Sequence, residues 1–526
     1  MKIDVSPFHG ELPKLASKML PAPHATSAIN CNLESMSLKP ARGTELVTTL
    51  GAAMQSIYRH NTGVWFRWSE AGVSAVKSPL NNDVHDRVYW TGDGVPRMTT
   101  YALATSGASV PAASYRLGIP APATALTASD APGEPDEGGV LIDTVYTYTY
   151  VSEFGEEGPP AAASAMVSRF DGATNELSGL DNPPTGDRAI ITKRIYRAET
   201  GGVFLFVADI PAAQSTFSDS VPTESLGQPL PSINWDEPDA RMKGLTNIGN
   251  GVLCGWFDNT LCFCEPFRPH AWPVGYQMGF DADIVGVSPF SGGLIVVTKS
   301  RPWLVTGITP ASMAQMGLDV HLGGVSRHSV VDMGEYAIYA SNEGLVAVGG
   351  NQSNVITKDM ISREQWQAFN PDSIHAYRWH DRYLAFYKDD TNTWRGFLLH
   401  PEHGLIRMSV GNVPNGYFDP LSGQVFLLSA NGEIQAWDAG SALPYTWRSK
   451  VFTLPQRASM SVAKIDSDAP VSMRIWSDDV LLLDTVAEPD TAFRLPPGRY
   501  RDWQFELTGT AEVLAVQIAS SPRELL

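Results

Sequence analysis

The sequence predicts an all-β protein, and three observations support that prediction. Glycine and proline are frequent, with 46 and 38 copies in 526 residues, and they separate short runs in which apolar and polar residues alternate. Apolar residues make up 43% of the chain, enough to fill the cores of several β domains. Similar groups of strands also recur through the second half of the chain. Short strands between turn residues are typical of β-sandwiches and β-propellers.

The length exceeds what one ordinary core can hold, so we expect two to four folding units. Composition divides the chain into five segments. They are an N-terminal arm (1–45), a first propeller segment (46–117), an inserted β-sandwich (118–231), the remaining propeller blades (232–455) and a C-terminal β module (456–526).

The arm carries little apolar surface of its own, so we expect it to lie on another part of the protein. Its pattern predicts one short helix, from His24 to Leu33, between extended segments bounded by prolines. Residues 46–105 then alternate strand by strand, with a Gly-Asp-Gly turn at 92–94, as in a β-meander.

A linker rich in proline, alanine and glycine begins at Pro120, and long alternating strands follow it. Tyr146, Tyr148 and Tyr150 occupy one face of the first long strand, because side chains two residues apart point the same way. About 110 residues of such strands predict a β-sandwich. The stretch YTYTYVSEFGEEGPPAAAS resembles the tyrosine-rich strand of fibronectin type III modules, a likeness of module and not of function.

A repeat begins after Pro231. Its units open at the positions Ile248, Val285, Val331, Ile374 and Val413. Each unit holds strands separated by glycine, asparagine or other polar turns, and a spacing of about 40 to 50 residues is typical of propeller blades. With the first segment closing the ring, the sequence predicts about six blades.

The stretch LCFCEPFRPHAWP, from Leu261 to Pro273, raises the question of a metal site. The preceding VLCGWF and the pair Asp258-Asn259 predict a hairpin in which Cys254 faces Phe263, with Cys262 and Cys264 on the other side of the ribbon. Residues two apart on a strand lie about 6.6 Å apart, whereas two thiolates on one zinc lie about 3.8 Å apart. We therefore predict buried core cysteines and no metal. The prolines that follow predict a rigid corner, with Phe267 and Trp272 as apolar anchors for a neighbouring blade or subunit.

No nucleotide-binding, zinc-protease or serine-hydrolase motif occurs in the sequence. His375, His380, His400 and His403, with Asp381, lie close in sequence, but their spacing does not place three ligands on one face, so hydrogen bonding is the simpler interpretation. KDDTNTW, from Lys388 to Trp394, partly resembles an Asp-box hairpin through Asp389, Thr393 and Trp394, with Thr391 replacing its glycine. We expect no enzyme activity, no catalytic residue, no cofactor and no metal.

The four cysteines fit a protein assembled in a reducing compartment. Neither a secretion signal nor a run of 18 apolar residues occurs, so no membrane span is expected. The acidic segments EPDEGG (Glu134 to Gly139) and SEFGEEG (Ser152 to Gly158) are interpreted as solvated loops. A formal charge of −18 argues against a tight grip on DNA.

Three segments share the pattern of one family. In the arm the matching residues are Pro13, Lys14, Leu20, Pro21, Ala28, Asn30, Cys31, Leu33 and Pro40. Before the insert they are Tyr115, Arg116, Leu117, Gly118, Pro120 and Pro122. After the hairpin they are Glu265, Pro266, Pro269, His270, Ala271, Trp272 and Pro273. Together they resemble virion structural proteins of tailed bacteriophages, with Cys264 where serine is usual. Among such proteins, a propeller-bearing one such as this chain is similar to the tail nozzle, or hub, of short-tailed, podovirus-like phages.

The resemblance implies a subunit of a homohexameric ring in the phage tail, assembled in the cytoplasm of the host bacterium. Its implied partners are the head-tail adaptor and other portal-proximal proteins, tail fibres or needle, and genomic DNA in transit. An acidic lumen would repel the phosphates of the passing duplex. Two alternatives remain open on the sequence. One is a propeller that binds host-surface glycan, and the other, less favoured, is a propeller glycoside hydrolase with paired carboxylates.

Overall fold

A computed structural model describes residues 1–51, 54–129, 133, 139–291, 293–350, 352–400 and 402–525. The structure is 46% strand and 5% helix, which confirms the all-β prediction. The α-helices are Tyr101–Ala104 and Arg363–Gln367. The 3-10 helices are Thr223–Ser225, Val274–Tyr276, Pro310–Ser312, Arg327–Ser329, Pro371–Ser373 and Pro522–Leu525. Within the described ranges, none of these helices has the length and apolar character that a bilayer crossing requires.

Four sheets each consist of four antiparallel strands that follow one another in the chain. The first holds Ser74–Lys77, Val88–Thr91, Arg97–Thr99 and Tyr115–Arg116. The second holds Lys243–Asn247, Leu253–Phe257, Thr260–Phe263 and Met278–Gly279. The third holds Ile284–Phe290, Gly293–Thr298, Pro302–Thr306 and Ala314–Gly317. The fourth holds Val331–Asp332, Ala337–Ala340, Leu345–Gly349 and Gln352–Val355.

Further sheets join segments that lie far apart in the sequence. Glu45–Thr49 completes a sheet with Glu433–Ala436, Gln424–Leu428 and Asn415–Asp419. The sheet of the N-terminal strand is, in order, Lys2–Val5, Val513–Ala519, Val462–Ser467 and Phe493–Arg494. Two-stranded pairs are formed by Cys31–Asn32 with Lys39–Pro40 and by Ser56–Arg59 with Trp65–Trp68.

An eleven-stranded sheet, here called the long sheet, is the largest. Its strands are, in order, His375–Trp379, Arg382–Lys388, Trp394–His400, Gly404–Met408, His9–Glu11, His24–Ile29, Tyr445–Ser449, Tyr500–Gly509, Val471–Ser477 and Val480–Ala487, with Phe452–Ala458 also paired to Tyr500–Gly509. The long sheet and the sheet of the N-terminal strand share one hydrophobic core, which includes Phe8, Trp447, Phe505 and Ile518.

The chain divides into two compact units. The first comprises Met1–Ala71, Val285–Val305 and Gln315–Leu526, and the second comprises Gly72–Ile284 and Thr306–Ala314. The domain boundaries expected from composition stay predictions.

The repeat openings agree with the structure at four of five positions. Strands begin at or within two residues of Val285, Val331, Ile374 and Val413, whereas Ile248 directly follows the strand Lys243–Asn247. The predicted meander of residues 46–105 is wrong as a single sheet, because its strands are shared among three sheets.

The helix predicted from His24 to Leu33 is also wrong. Residues His24–Ile29 and Cys31–Asn32 are strands, and His24–Ile29 pairs with both His9–Glu11 and Tyr445–Ser449. Pairing to strands on both sides satisfies the backbone groups of this segment, so tertiary hydrogen bonding overrides its weak local preference for helix.

In the second unit, two sheets enclose the predicted tyrosine face. One sheet consists of Val167–Phe170, Leu141–Ser152, Ile190–Glu199 and Leu205–Pro211, and the other of Thr127–Ala128, Asn175–Ser178 and Phe217–Asp219. Tyr146, Tyr148 and Tyr150 are all buried in the cluster between these sheets, which confirms their common face. On the opposite face, Thr147 donates a hydrogen bond to the Ala161 carbonyl and Thr149 to the Glu157 carboxylate.

The SEFGEEG segment is only partly a solvated loop, because Glu153 and Gly155 are exposed whereas its last two glutamates are not. Glu156 and Glu157 are buried, and their carboxylates accept hydrogen bonds from Arg87 at 2.8 Å and Arg194 at 3.2 Å. These arginines lie 69 and 37 residues away in sequence. The acidic run by itself therefore gave no sign that arginines would pair with its buried carboxylates. Burial raises the pKa of Glu156 to about 7. EPDEGG lies outside the described residues apart from Gly139.

Asp219 holds together the buried charges of the tyrosine core. Its Oδ2 accepts hydrogen bonds from Arg169 at 2.8 Å, from Arg197 at 2.6 Å and from the Tyr146 hydroxyl at 2.8 Å. All four residues are buried. Removing one partner of such a group leaves the opposite charge uncompensated in a low-dielectric interior.

We therefore expect Asp219→Asn to lower the free energy of unfolding of the second unit by about 3–5 kcal/mol. Urea titration followed by tyrosine and tryptophan fluorescence measures this. Asp209→Asn is the matched control, because Asp209 forms a partly exposed pair with Arg194 and its loss should cost less than about 1 kcal/mol. Equal effects of the two substitutions would contradict the role assigned to Asp219 as the partner of the buried arginines.

Candidate functional site

The hairpin around the cysteines has the predicted register. Cys254 pairs with Phe263 and Gly255 with Cys262, and Asp258 adopts a left-handed conformation in the turn. All four cysteines of the chain are free and buried, which confirms the core interpretation. Burial raises the pKa of the Cys262 thiol to about 12. These thiols are therefore protonated at neutral pH.

The segment from Glu265 to Pro273 forms a tight corner. The Ala271 carbonyl accepts a hydrogen bond from the Glu265 amide, and the Trp272 indole donates to the Pro269 carbonyl at 2.9 Å. Trp272 is buried within its own unit, so it does not serve as an anchor for another subunit. Phe267, in contrast, is 51% exposed and stays a candidate for such a contact.

The N-terminal arm enters the long sheet at a site here called the arm junction, formed by strands His9–Glu11, His24–Ile29, Gly404–Met408 and Tyr445–Ser449. Glu11 is buried there, and its carboxylate accepts hydrogen bonds from the Ala28 amide at 2.9 Å and from Arg407 Nε at 3.0 Å. A side chain at Gly10 would meet the Leu405 carbonyl oxygen at 2.5 Å, so only glycine fits this backbone crossing.

Polar contacts also fix the register of the arm. Asn30 forms a reciprocal pair with Ser409, donating from Nδ2 to Oγ at 3.1 Å and accepting from the Ser409 amide at 2.8 Å. The Trp447 indole donates to the His9 carbonyl at 3.0 Å, and its ring packs edge-on against Phe8. Side chains as well as strand pairing therefore attach the arm to this unit.

Four imidazoles form a row at the arm junction, here called the imidazole row. His9 Nδ1 lies 3.4 Å from His24 Nε2, the His9 ring centroid lies 4.9 Å from that of His403, and His403 stacks on His400 at 4.3 Å. His400 Nε2 in turn lies 3.5 Å from the Asp381 carboxylate. The sequence suggested His400 and His403, but gave no signal that His9 and His24, almost 400 residues earlier, would meet them.

Burial disfavours the protonated form of three of the four imidazoles. Burial, followed by the repulsion of His24, His403 and His400, lowers the pKa of His9 to about 4. Burial also lowers the pKa of His24 and that of His400. Neutral imidazole nitrogens can donate, accept or ligate a metal. Among the described residues, no three His, Cys, Asp or Glu side chains are already arranged to hold a metal ion.

The other two histidines singled out in the sequence lie apart from the row. His375 is buried, with Nε2 at 2.9 Å from the Val413 carbonyl and Nδ1 at 3.1 Å from the Tyr377 hydroxyl. His380 is exposed in the turn after the strand His375–Trp379. Hydrogen bonding, as predicted, accounts for His375.

A cleft of about 710 Å³ lies beside the Asp389 turn and the arm junction. Its lining residues are Pro13, Ile29, Gln365, Ala368, Phe369, Tyr387, Asp389, Asp390, Thr391, Arg395, Gly396, Arg407, Met408, Ser409 and Val410. The predicted hairpin is confirmed, with strands Arg382–Lys388 and Trp394–His400 on either side. The Asp389 carboxylate accepts hydrogen bonds from Thr391, Thr393 and Arg395, and these lower its pKa.

Burial lowers the pKa of His375 to about 3, below its value near 6.5 in an unfolded chain. The contribution of the neutral His375 ring to the free energy of unfolding is fully present above pH 6.5. It is lost as the pH falls toward 3, because the unfolded state binds the proton first. We therefore expect His375→Gln to flatten the dependence of the unfolding midpoint on pH in this range. Tyr377→Phe removes the hydroxyl partner without removing the titrating group, so it should keep the slope. Parallel curves for His375→Gln and the unmodified protein would contradict this assignment.

Comparisons with known proteins give weak matches. No protein-family model and no curated protein matches the sequence. Among solved structures, a lectin from Burkholderia pseudomallei is 12% identical, with 61% of this chain and 97% of the lectin covered and a TM-score of 0.26. PorZ of the Porphyromonas gingivalis type-IX secretion system is 10% identical, with 90% of this chain and 77% of PorZ covered and a TM-score of 0.27. An exo-β-1,3-galactanase from Phanerochaete chrysosporium is also 10% identical, with 89% of this chain and 99% of the galactanase covered and a TM-score of 0.19. At such TM-scores these similarities carry no functional inference for this chain.

Proposed function

We propose that this protein is a structural subunit of a phage virion, a tail nozzle or hub subunit that assembles as a sixfold ring. The observation that carries the proposal is the position of the residues that resemble tailed-phage virion proteins. In the arm, Ala28, Cys31 and Leu33 are buried in the core of the long sheet, and Asn30 pairs with Ser409. Their burial and hydrogen bonding support a structural role for these residues.

The other two resembling segments have the same character. Leu117 and Ile119 are buried, and Gly118 adopts a positive φ where a side chain would meet Pro238. In the corner after the hairpin, Ala271 and Trp272 are buried. Because the residues that resemble those of virion proteins fall on buried turns and cores, their positions support the proposed structural role.

We further propose a β-propeller of about six blades, with a fibronectin III/Ig-like sandwich inserted in it and a C-terminal β module. Four sheets, each built of four strands in chain order, support the blades. Pairing of Glu45–Thr49 with Glu433–Ala436 supports closure, because it joins the first propeller segment to the last repeat. Closure removes exposed sheet edges, which would otherwise pair with other chains.

In this proposal the ring acts passively, without catalysis or cofactor. The chain carries a formal charge of −18, so a lumen lined by part of that charge repels DNA phosphates and lets the genome pass without adhesion. The ring docks the head-tail adaptor above and tail fibres or a needle below, and half-exposed apolar residues such as Phe267 suit such interfaces. Its location is the tail of the virion.

The test is cryo-electron microscopy of the purified protein together with mass photometry. We expect sixfold rings with a through-channel and an acidic lumen, because the subunit has to surround a duplex without binding it. A chain that stays monomeric at every concentration and does not join a ring with purified adaptor would contradict the proposal. A basic lumen would overturn the passive mechanism.

The cleft favours a second candidate, a module that binds host-surface glycan. Its volume of about 710 Å³ is in the range of ligand sites, and Tyr387, Asp390 and Arg395 offer an aromatic ring, an acceptor and a donor. Hydrolysis is less favoured here, because the Asp389 carboxylate is occupied by its turn and by Arg395.

If the cleft binds glycan, Asp390→Ala combined with Arg395→Ala should weaken binding to a bacterial polysaccharide at least about tenfold, a loss typical of one or two polar contacts. Saturation-transfer NMR with the purified polysaccharide measures this. Asp359→Ala is the control, since Asp359 is exposed and lies outside the cleft lining. Absence of any saturation transfer to the unmodified protein would remove this candidate.

A further inference from the structure

The imidazole row contains two nitrogens at the separation that a metal ion requires. His9 and His24 face each other across a parallel strand pair, with His9 Nδ1 and His24 Nε2 3.4 Å apart. Two nitrogens that each lie about 2.0–2.1 Å from a tetrahedral zinc ion are themselves about 3.4 Å apart. The separation of these two nitrogens therefore already suits one shared ion.

The hydrogen bonding of His24 fixes the tautomer that a metal ligand needs. His24 Nδ1 lies 3.2 Å from the Gly10 carbonyl oxygen. A carbonyl only accepts, so Nδ1 carries the proton and the lone pair of Nε2 points toward His9. A backbone carbonyl that orients the second ring nitrogen is the usual support of a histidine ligand. His24 is also 8% exposed, so its orientation is held by packing.

His403 supplies a third nitrogen. Its Nδ1 is buried and has no hydrogen-bond partner within the described part of the chain, and its ring lies next to that of His9. The three nitrogens do not converge on one point in the present arrangement.

We propose that the imidazole row binds one divalent transition-metal ion, Zn²⁺ or a similar nitrogen-preferring ion, through His9 Nδ1 and His24 Nε2. In this proposal the His403 ring turns about its side-chain bonds to become the third ligand, and water completes the coordination. Imidazole nitrogens favour zinc, nickel and copper over magnesium or calcium. When the ion binds, His9 carries its proton on Nε2, so the hydrogen bond between the two rings is replaced by two metal–nitrogen bonds.

The consequence of binding is a cross-link at the arm junction. The ion joins the strands His9–Glu11 and His24–Ile29 to the turn that contains His403. An ion that binds only the folded arrangement stabilises it by mass action. The site lies within one chain, so it operates whether or not the chain assembles into a ring.

The test uses the full chain without a histidine tag, stripped with chelator and titrated with Zn²⁺ alone in a calorimeter. We expect one ion per chain and a higher thermal-unfolding midpoint with zinc. His9→Gln and His24→Gln should each weaken binding at least about tenfold, which corresponds to about 1.4 kcal/mol. His380→Gln, an exposed imidazole outside the row, should bind as the unmodified protein does.

X-ray absorption of the zinc-loaded protein keeps the test independent of folding effects. Nitrogen and oxygen ligands are expected, whereas sulfur ligands would assign the ion to the cysteine hairpin and overturn the proposal. Undiminished zinc binding in both His9→Gln and His24→Gln would also overturn it. So would zinc binding with well under one ion per chain at saturation.

Discussion

The insertion of the N-terminal arm into the long sheet is the constraint on which the first unit depends. The strand His24–Ile29 lies between His9–Glu11 and Tyr445–Ser449, so the sheet is continuous only when the arm is present. Without it, the edges of Gly404–Met408 and Tyr445–Ser449 would carry unpaired backbone groups, which are costly to bury. The core that includes Phe8, Ala28 and Trp447 would also lose one wall.

Buried charge reinforces this arrangement. Glu11 is held by the Ala28 amide and Arg407, so the arm enters the sheet in one register. A buried carboxylate tolerates few alternatives, because any shift leaves it without its partners. The second unit uses the same device at Asp219, where one carboxylate serves two arginines. Both sites favour a rigid scaffold over a mobile one, in keeping with the structural role we propose.

Local patterns predicted the parts of the fold that local physics determines. The register of Cys254 opposite Phe263 follows from a two-residue turn, and the common face of Tyr146, Tyr148 and Tyr150 follows from the period of a strand. The patterns failed where contacts with residues far away in the sequence determine the structure. The strand at His24, the burial of Glu156 and Glu157, and the meeting of His9 with His403 all depend on residues far away in the chain. Of the candidate site, the sequence indicated only the hairpin at Asp389 and two of the four imidazoles.

Hydrogen–deuterium exchange of the arm tests the central claim most directly. If the arm is an integral part of the long sheet, the amides of Ala28 and Asn30, which donate to Glu11 and to the Arg407 carbonyl, will exchange as slowly as those of Tyr445–Ser449. Exchange of the arm amides at the rate of an unstructured peptide, while Tyr445–Ser449 stays protected, would contradict the account.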